Sequence, residues 1–313
     1  MNAELFDCRK AYAETLEKIA ESDDRLVVVV NDSVGSSNLK GFEKRFPERL
    51  INVGIAEQNQ VGVAAGLENC GKIPVVSCAG SFLSARAMEQ IKIDAAYSER
   101  HMLLCAQSPG LAYGQLGSTH HSAEDSAWMR AIPNMTVIIP ADPAETEAAV
   151  RWAYSECKGP VYIRISRMKV PRLYGGELHL ERGKAIRLRD GGDVTLIANG
   201  VCVSRALVAA ARLADEGIEA RVVSMPFVKP LDIDEIVAAS EETGGIITIE
   251  EGVVAGGLGS AVAEVLADRG LGRVRRLGVP DVFAPTGSEE WLLDHFGMSS
   301  ESIRATARQM IAK

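Results

Sequence analysis

Short apolar runs alternate with amphipathic stretches along the chain, and this rhythm predicts its elements. The first twenty-odd residues repeat apolar positions at helical spacing (Leu5, Ala11, Leu16, Ile19), and a β-branched run, Leu26–Val30, follows. Strand-like runs recur at Leu50–Val53, Pro74–Ala79, Met102–Ala106, Thr136–Pro140 and Val161–Ile165, with helical patterns at 56–69, 82–98 and 143–156 between most of them. Such alternation predicts a parallel sheet wrapped by helices. The runs are continuously apolar, which fits a sheet buried on both faces. A polar, turn-rich break lies near 168–192, closed by the charged turn Arg189-Asp-Gly-Gly-Asp193. Beyond it, strands are expected at Val194–Ala198, Ala220–Ser224, Ile246–Ile249 and Val274–Leu277, and helices at 203–216, 232–242, 258–269, 287–296 and 300–312. The fold class is α/β, as two consecutive α/β domains over residues 1–180 and 190–313.

Composition narrows the function classes. Lys+Arg 34 against Asp+Glu 42 leaves a net charge of −8, and an acidic chain without a basic block repels a nucleic-acid backbone. Apolar residues at 47% and charged residues at 24% are ordinary for a soluble domain. No apolar run approaches the roughly 18 residues of a membrane span, and the N-terminus does not resemble a signal peptide. A soluble, cytoplasmic protein is expected. The six cysteines, at 8, 70, 78, 105, 157 and 202, form no C-x-x-C pair, so they read as reduced and mostly buried thiols, with neither a disulfide framework nor a zinc site.

Ligands of open α/β sheets bind at loops following the carboxyl ends of strands. Five loops of the first domain qualify: Asn31–Asn38, Gly54–Gln58, Gly80–Phe82, the long segment Gln107–Ser122, and Ser166-Arg167. Glu57 follows a strand and opens a helix. It is either an acid stabilised by the helix dipole or a carboxyl in a crevice where desolvation lets it hold a proton. The long segment carries several glycines and the pair His120-His121, and loops of this length in compact domains are usually functional. Adjacent histidines without a third ligand make a poor metal site, so one imidazole facing the cleft for proton transfer or hydroxyl binding is the better reading. Gly66–Ile73 nearly spells a phosphate-binding loop but follows a helix, with Ile73 where a magnesium-binding hydroxyl belongs. No G-x-S-x-G elbow occurs.

The motifs together resemble a known pattern. Ile51-Asn-Val-Gly-Ile-Ala-Glu57-Gln58, Ala65-Gly-Leu67, Pro74-Val-Val76 and Ser81-Phe-Leu83 are similar to the pyrimidine-binding domain of thiamine-diphosphate enzymes. Arg86–Gln90, Gly117-Ser-Thr-His120, Arg130–Asn134 and Pro140–Glu145 resemble the transketolase family, and Glu250-Glu-Gly252, Gly256–Ser260 and Gly278–Phe283 resemble its smaller C-terminal domain. The likeness runs through nearly the whole chain, in order. It implies that Glu57 hydrogen-bonds the aminopyrimidine of thiamine diphosphate and favours its imino tautomer, a role suited by the apolar residues 53–56. It implies Phe82 as the ring stacked on the pyrimidine, Arg86 close by, and His120 facing the substrate. Arg9, Ser37 and Arg167 fall where the family holds a substrate phosphate, a good donor set for a dianion.

The departures matter as much. The acidic pair that the family carries before Gly-x-Thr-His reads Gln115-Leu116 here, which puts the sugar preference in question. A family histidine is replaced at about Ser108, and another after Glu250-Glu251 is Gly252. The Gly-Asp-Gly segment that holds the diphosphate and its divalent metal does not occur in the sequence. The resemblance therefore implies the C-terminal subunit of a split transketolase, inactive alone. An N-terminal partner would bring the diphosphate site and Mg2+ or another divalent metal, with no metal site expected in this chain itself. The assembly implied is a heterotetramer with two copies of each chain. The reaction implied is transfer of a two-carbon ketol unit between sugar phosphates. Alternatives are a split 1-deoxyxylulose-5-phosphate synthase-like enzyme, the beta subunit of a 2-oxo-acid dehydrogenase, or a non-catalytic assembly subunit.

Overall fold

Why the apolar runs lack alternation is plain from their place. In the computed structural model, which describes residues 4–312, successive side chains of Leu26–Val30 feed two separate cores. Val28 and Val30 pack with Tyr12, Leu16, Leu103 and Trp152 under helices Cys8–Ser22 and Pro143–Ser155, while Val29 packs with Val61, Val76, Leu83 and Ile91 on the other face. Each fully buried aliphatic side chain of this kind contributes about 1.5–3 kcal/mol. Pro143–Ser155 begins where its sequence says it should: Pro143 occupies its first turn and the Asp142 side chain accepts from Glu145 N at 2.8 Å.

The first sheet has seven strands, ordered Phe227–Lys229, Thr136–Ile138, Val161–Ile165, Leu103–Gln107, Ile73–Ala79, Leu26–Val30 and Leu50–Asn52. All pairs are parallel except Phe227–Lys229 against Thr136–Ile138. Val28 faces both Leu50 and Val75 across the ladder, so Leu26–Val30 lies between strands that the chain visits on opposite sides. The crevice at such a reversal is where this class of sheet binds ligands. The second sheet has five strands, ordered Val274–Val279, Ile246–Val253, Val194–Ala198, Ala220–Ser224 and the antiparallel edge strand Ile186–Arg189. No helix among the described residues is long and apolar enough to cross a membrane.

Three features differ from the sequence expectation. The helix expected over 82–98 is broken into Gly80–Arg86, Met88–Gln90 and a π-helical segment, Ile91–Tyr97. A helical period does not distinguish α from π hydrogen bonding, so the change left no mark in the pattern. Phe227–Lys229 falls inside the range expected for the second domain yet adds an edge strand to the first sheet, with Phe227 edge-on to Trp152 at 5.0 Å. Leu5–Asp7 pairs antiparallel with Lys169–Pro171, Asp7 opposite Lys169. Three-residue strands are too short to show a period. This small ribbon brings Arg9 and Arg167, far apart in sequence, to one end of the first sheet.

Candidate active site

Glu57 stands at the reversal. After strand Leu50–Asn52, Gly54 takes φ +74°, a left-handed turn that glycine makes without strain, and Glu57 opens helix Glu57–Asn69. Its side chain is 3% exposed. Asn31 Nδ2, at the end of Leu26–Val30, donates to Oε1 at 2.8 Å, and Arg86 Nη1 donates to the same oxygen at 3.1 Å. Oε2 accepts no hydrogen bond from the described residues. The apolar wall expected around Glu57 is thus corrected: polar donors grip one oxygen and the other is left for a ligand. An open cleft of about 700 Å³, lined by Ile55, Ala56, Gln58, Asn59 and Arg86, meets this carboxyl.

From Glu57 a chain of ring contacts runs along the strand ends. Arg86 lies 4.1 Å from the Phe82 ring centre, a cation over an aromatic face. Phe82 meets His120 edge-on at 5.2 Å, His120 meets Tyr113 at 5.9 Å, and Arg167 lies 4.9 Å from the Tyr113 ring. His120 Nδ1 and Thr119 Oγ1 are 3.0 Å apart, which leaves Nε2 free of that contact. Glu57, Arg86, Phe82, His120 and Arg167 therefore form one connected row.

The other two candidates are placed differently. Arg9 is tied to Asp7 at 2.5 Å and to Ser36 O at 3.0 Å. Ser37 is fully buried, and its hydroxyl has no hydrogen-bond partner among the described residues. The turn that positions it, with Ser37 N donating to Ser33 O, carries Leu39 and Phe42 into the core and takes Ser37 inward with them. The expected phosphate triad is corrected accordingly: Arg9 is committed, Ser37 is sealed, and Arg167 makes no hydrogen bond or ion pair with a described residue. Asn31 and Tyr113 were not singled out in the sequence, although both lie in loops selected by the strand-end rule.

The long loop is fixed by both domains. Gly110 and Ser122 close it with reciprocal hydrogen bonds of 3.1 and 2.7 Å. Leu111 N donates to Glu251 Oε1 at 2.7 Å, Ser118 Oγ to Ala284 O at 2.8 Å, and Gly287 N to Gly114 O at 3.0 Å. A Cβ on Gly110, whose φ is +63°, would meet Glu251 Cδ at 2.5 Å, so glycine alone fits. Beneath lies a buried polar cluster: Arg164 Nε is 3.3 Å from Asp125 Oδ2, its Nη2 donates to Glu251 O at 3.0 Å, and Tyr162 OH donates to Asp125 at 2.7 Å. The Glu250-Glu251 pair thereby acquires two structural roles. Glu250 accepts from Leu258 N and Gly259 N at 2.7 and 2.8 Å, capping helix Leu258–Arg269, and Glu251 anchors the loop. No group of three or more His, Cys, Asp or Glu side chains among the described residues converges on a point that could hold a metal.

Burial pushes the Glu251 carboxyl from 4.5 to about 7, against the pull of Arg164. An acid whose pKa rises on folding gives stability that is fully present below about pH 4.5 and lost as pH climbs through about 7. Glu251→Gln retains an acceptor for Leu111 N and removes this titration. Thermal unfolding from pH 4.5 to 8 should show a shallower loss of Tm in the variant, by a few degrees. Parallel curves for the two proteins would contradict the assignment.

The fold and this row of residues define a half-site of the thiamine-diphosphate enzyme class. Residues 5–172 match the family described as transketolase, pyrimidine binding domain, and residues 183–303 match transketolase, C-terminal domain. One of the two chains of the apulose-4-phosphate transketolase of Phocaeicola vulgatus is 40% identical over 312 residues, covering 99% of both sequences. A solved structure described as a split gene transketolase, inactive beta4 tetramer, superposes with a TM-score of 0.90 at 39% identity over 98% of each chain. The 1-deoxy-D-xylulose-5-phosphate synthase of Syntrophotalea carbinolica is 40% identical over 306 residues, 96% of this chain but 47% of that protein. The chain belongs to the transketolase family. Its likeness, end to end, is to the C-terminal subunit of split transketolases.

Proposed function

We propose that this chain, joined to an N-terminal subunit, transfers a two-carbon ketol unit between sugar phosphates with thiamine diphosphate as cofactor. The observation that carries the reading is Glu57: one oxygen held by Asn31 and Arg86, the other without a partner, beside the Phe82 ring at the reversal of the sheet. This donor set fits the pyrimidine end of the cofactor. When bound, thiamine diphosphate supplies an electron sink beside an acidic carbon, the chemistry that cleaves a ketose C2–C3 bond. Glu57 holds or gives a proton at Oε2 toward the pyrimidine, while Arg86 and Asn31 fix its rotamer. Phe82 offers the ring face for stacking. His120 binds or relays a proton at Nε2 to a substrate hydroxyl, and Arg167 receives the far end of the sugar.

Nothing comparable serves a diphosphate or a cation among the described residues. The reading therefore assigns the diphosphate and the Mg2+ or other divalent-metal site to the N-terminal partner, with a heterotetramer of two copies each as the assembly. The description of the solved relative as an inactive β4 tetramer supports a subunit type that cannot act alone.

The synthase likeness makes pyruvate the discriminating substrate. The reconstituted complex should cleave a ketose phosphate, pass two carbons to an aldose acceptor and release no CO2. Decarboxylation of pyruvate at a comparable rate would overturn the transketolase reading in favour of the synthase-like or dehydrogenase-like alternative.

A further inference from the structure

Two opposite charges face one cavity without pairing. Arg167 and Glu289 both line a space of about 420 Å³, walled also by Tyr113, Gln115, Leu116 and Ser288. They form no direct ion pair, and neither side chain has a hydrogen-bond partner among the described residues. Glu289 is not a loose surface acid. Gly287 N is bonded to Gly114 O at 3.0 Å, and Ser288 Oγ accepts from Trp291 N at 3.2 Å, so the second domain presents Glu289 to the long loop from a fixed backbone. Burial raises its carboxyl above the usual range, Arg167 and Arg9 draw it down, and Glu290 pushes it up, which places both arginines in its field. Arg9, however, is already neutralised by Asp7.

A terminus entering this cavity meets one free guanidinium and one carboxylate. Charges in a partly buried site are screened far less than in bulk water, and a dianion doubles its repulsion from the acid. A hydroxyl satisfies both walls, accepting from Arg167 and donating to Glu289. Gln115 and Leu116 add an amide and an apolar wall, but no further charge.

We propose that Glu289 is a specificity-determining residue, which disfavours a doubly charged phosphate terminus at Arg167 and favours a hydroxyl or a singly charged terminus. The inference rests on the reading that a sugar extends from Glu57 and Phe82 toward Arg167. Glu289→Gln keeps the shape and removes the charge.

In the reconstituted complex, kcat/KM is measured for two ketose donors that differ only in a terminal hydroxyl or phosphate. The variant should raise the phosphate-to-hydroxyl ratio about tenfold, chiefly through KM, equivalent to about 1.4 kcal/mol. An unchanged or lowered ratio in an active complex overturns the proposal. A second arm titrates the purified full chain with inorganic phosphate at pH 8 by calorimetry. Phosphate should bind Glu289→Gln about tenfold more tightly than the unaltered chain, and adding Arg167→Gln should abolish the gain. If the complex transfers no ketol unit, the functional reading fails and this titration alone decides: the tighter binding upholds the role of Glu289, and equal affinities overturn it.

Discussion

Glu57→Gln lowers kcat for ketol transfer in the reconstituted complex by about 10²–10⁴-fold, the range for loss of a positioned proton-transfer group. The expectation follows from the two oxygens being unequal. Gln offers a carbonyl that still accepts from Asn31 Nδ2 and Arg86 Nη1, now at 2.8 and 3.1 Å from Oε1, so the local hydrogen bonds survive. Its amide nitrogen takes the place of Oε2, where it can neither hold nor give up a proton as a carboxyl does. The thermal midpoint should therefore stay close to that of the unaltered protein while turnover collapses. Glu57→Ala is a harsher test, because it leaves Asn31 and Arg86 without their acceptor and costs about 1–3 kcal/mol of stability as well. A Gln variant that turns over at the original rate would remove Glu57 from the chemistry.

What the sequence made legible was whatever long apolar periods encode. Leu26–Val30, Ile73–Ala79 and Leu103–Gln107 carry enough consecutive apolar residues to mark a doubly covered sheet, and the strand-end rule then selected the loops of Glu57, Phe82, His120 and Arg167. Less legible was whatever depends on one short pairing or one side-chain orientation. The ribbon of Leu5–Asp7 with Lys169–Pro171 and the crossing strand Phe227–Lys229 have three residues each, below the length at which a period shows. Ser37 lies in the expected loop, but whether its hydroxyl faces the cleft or the core is decided by the packing of Leu39 and Phe42. Glu289 left no signal as a ligand-facing residue. It reads as an ordinary acid in the first turn of helix Glu289–His295, and only the bond from Gly287 to Gly114 sets it opposite Arg167.

The row from Glu57 to Arg167 accounts for one end of a cofactor and for the reach of a sugar, all from one chain. Glu251 and Arg164 hold the loop that carries His120, so the second domain has a part in shaping the site although it supplies no residue of that row. The groups needed at a diphosphate and its metal have no counterpart among the described residues, and this asymmetry makes the second large prediction one of complementation. The chain should bind substrates poorly and turn over nothing unless a second subunit completes the cleft at Glu57.

The most direct measurement is ketol transfer by the purified chain alone, by the candidate N-terminal subunit alone, and by the two mixed, each with thiamine diphosphate and Mg2+. Neither subunit alone should show a rate above background, and the mixture should turn over on the order of 1–10³ s⁻¹, the ordinary span of enzymes. Comparable turnover from the purified chain without its partner would contradict the assignment of half a site to each subunit.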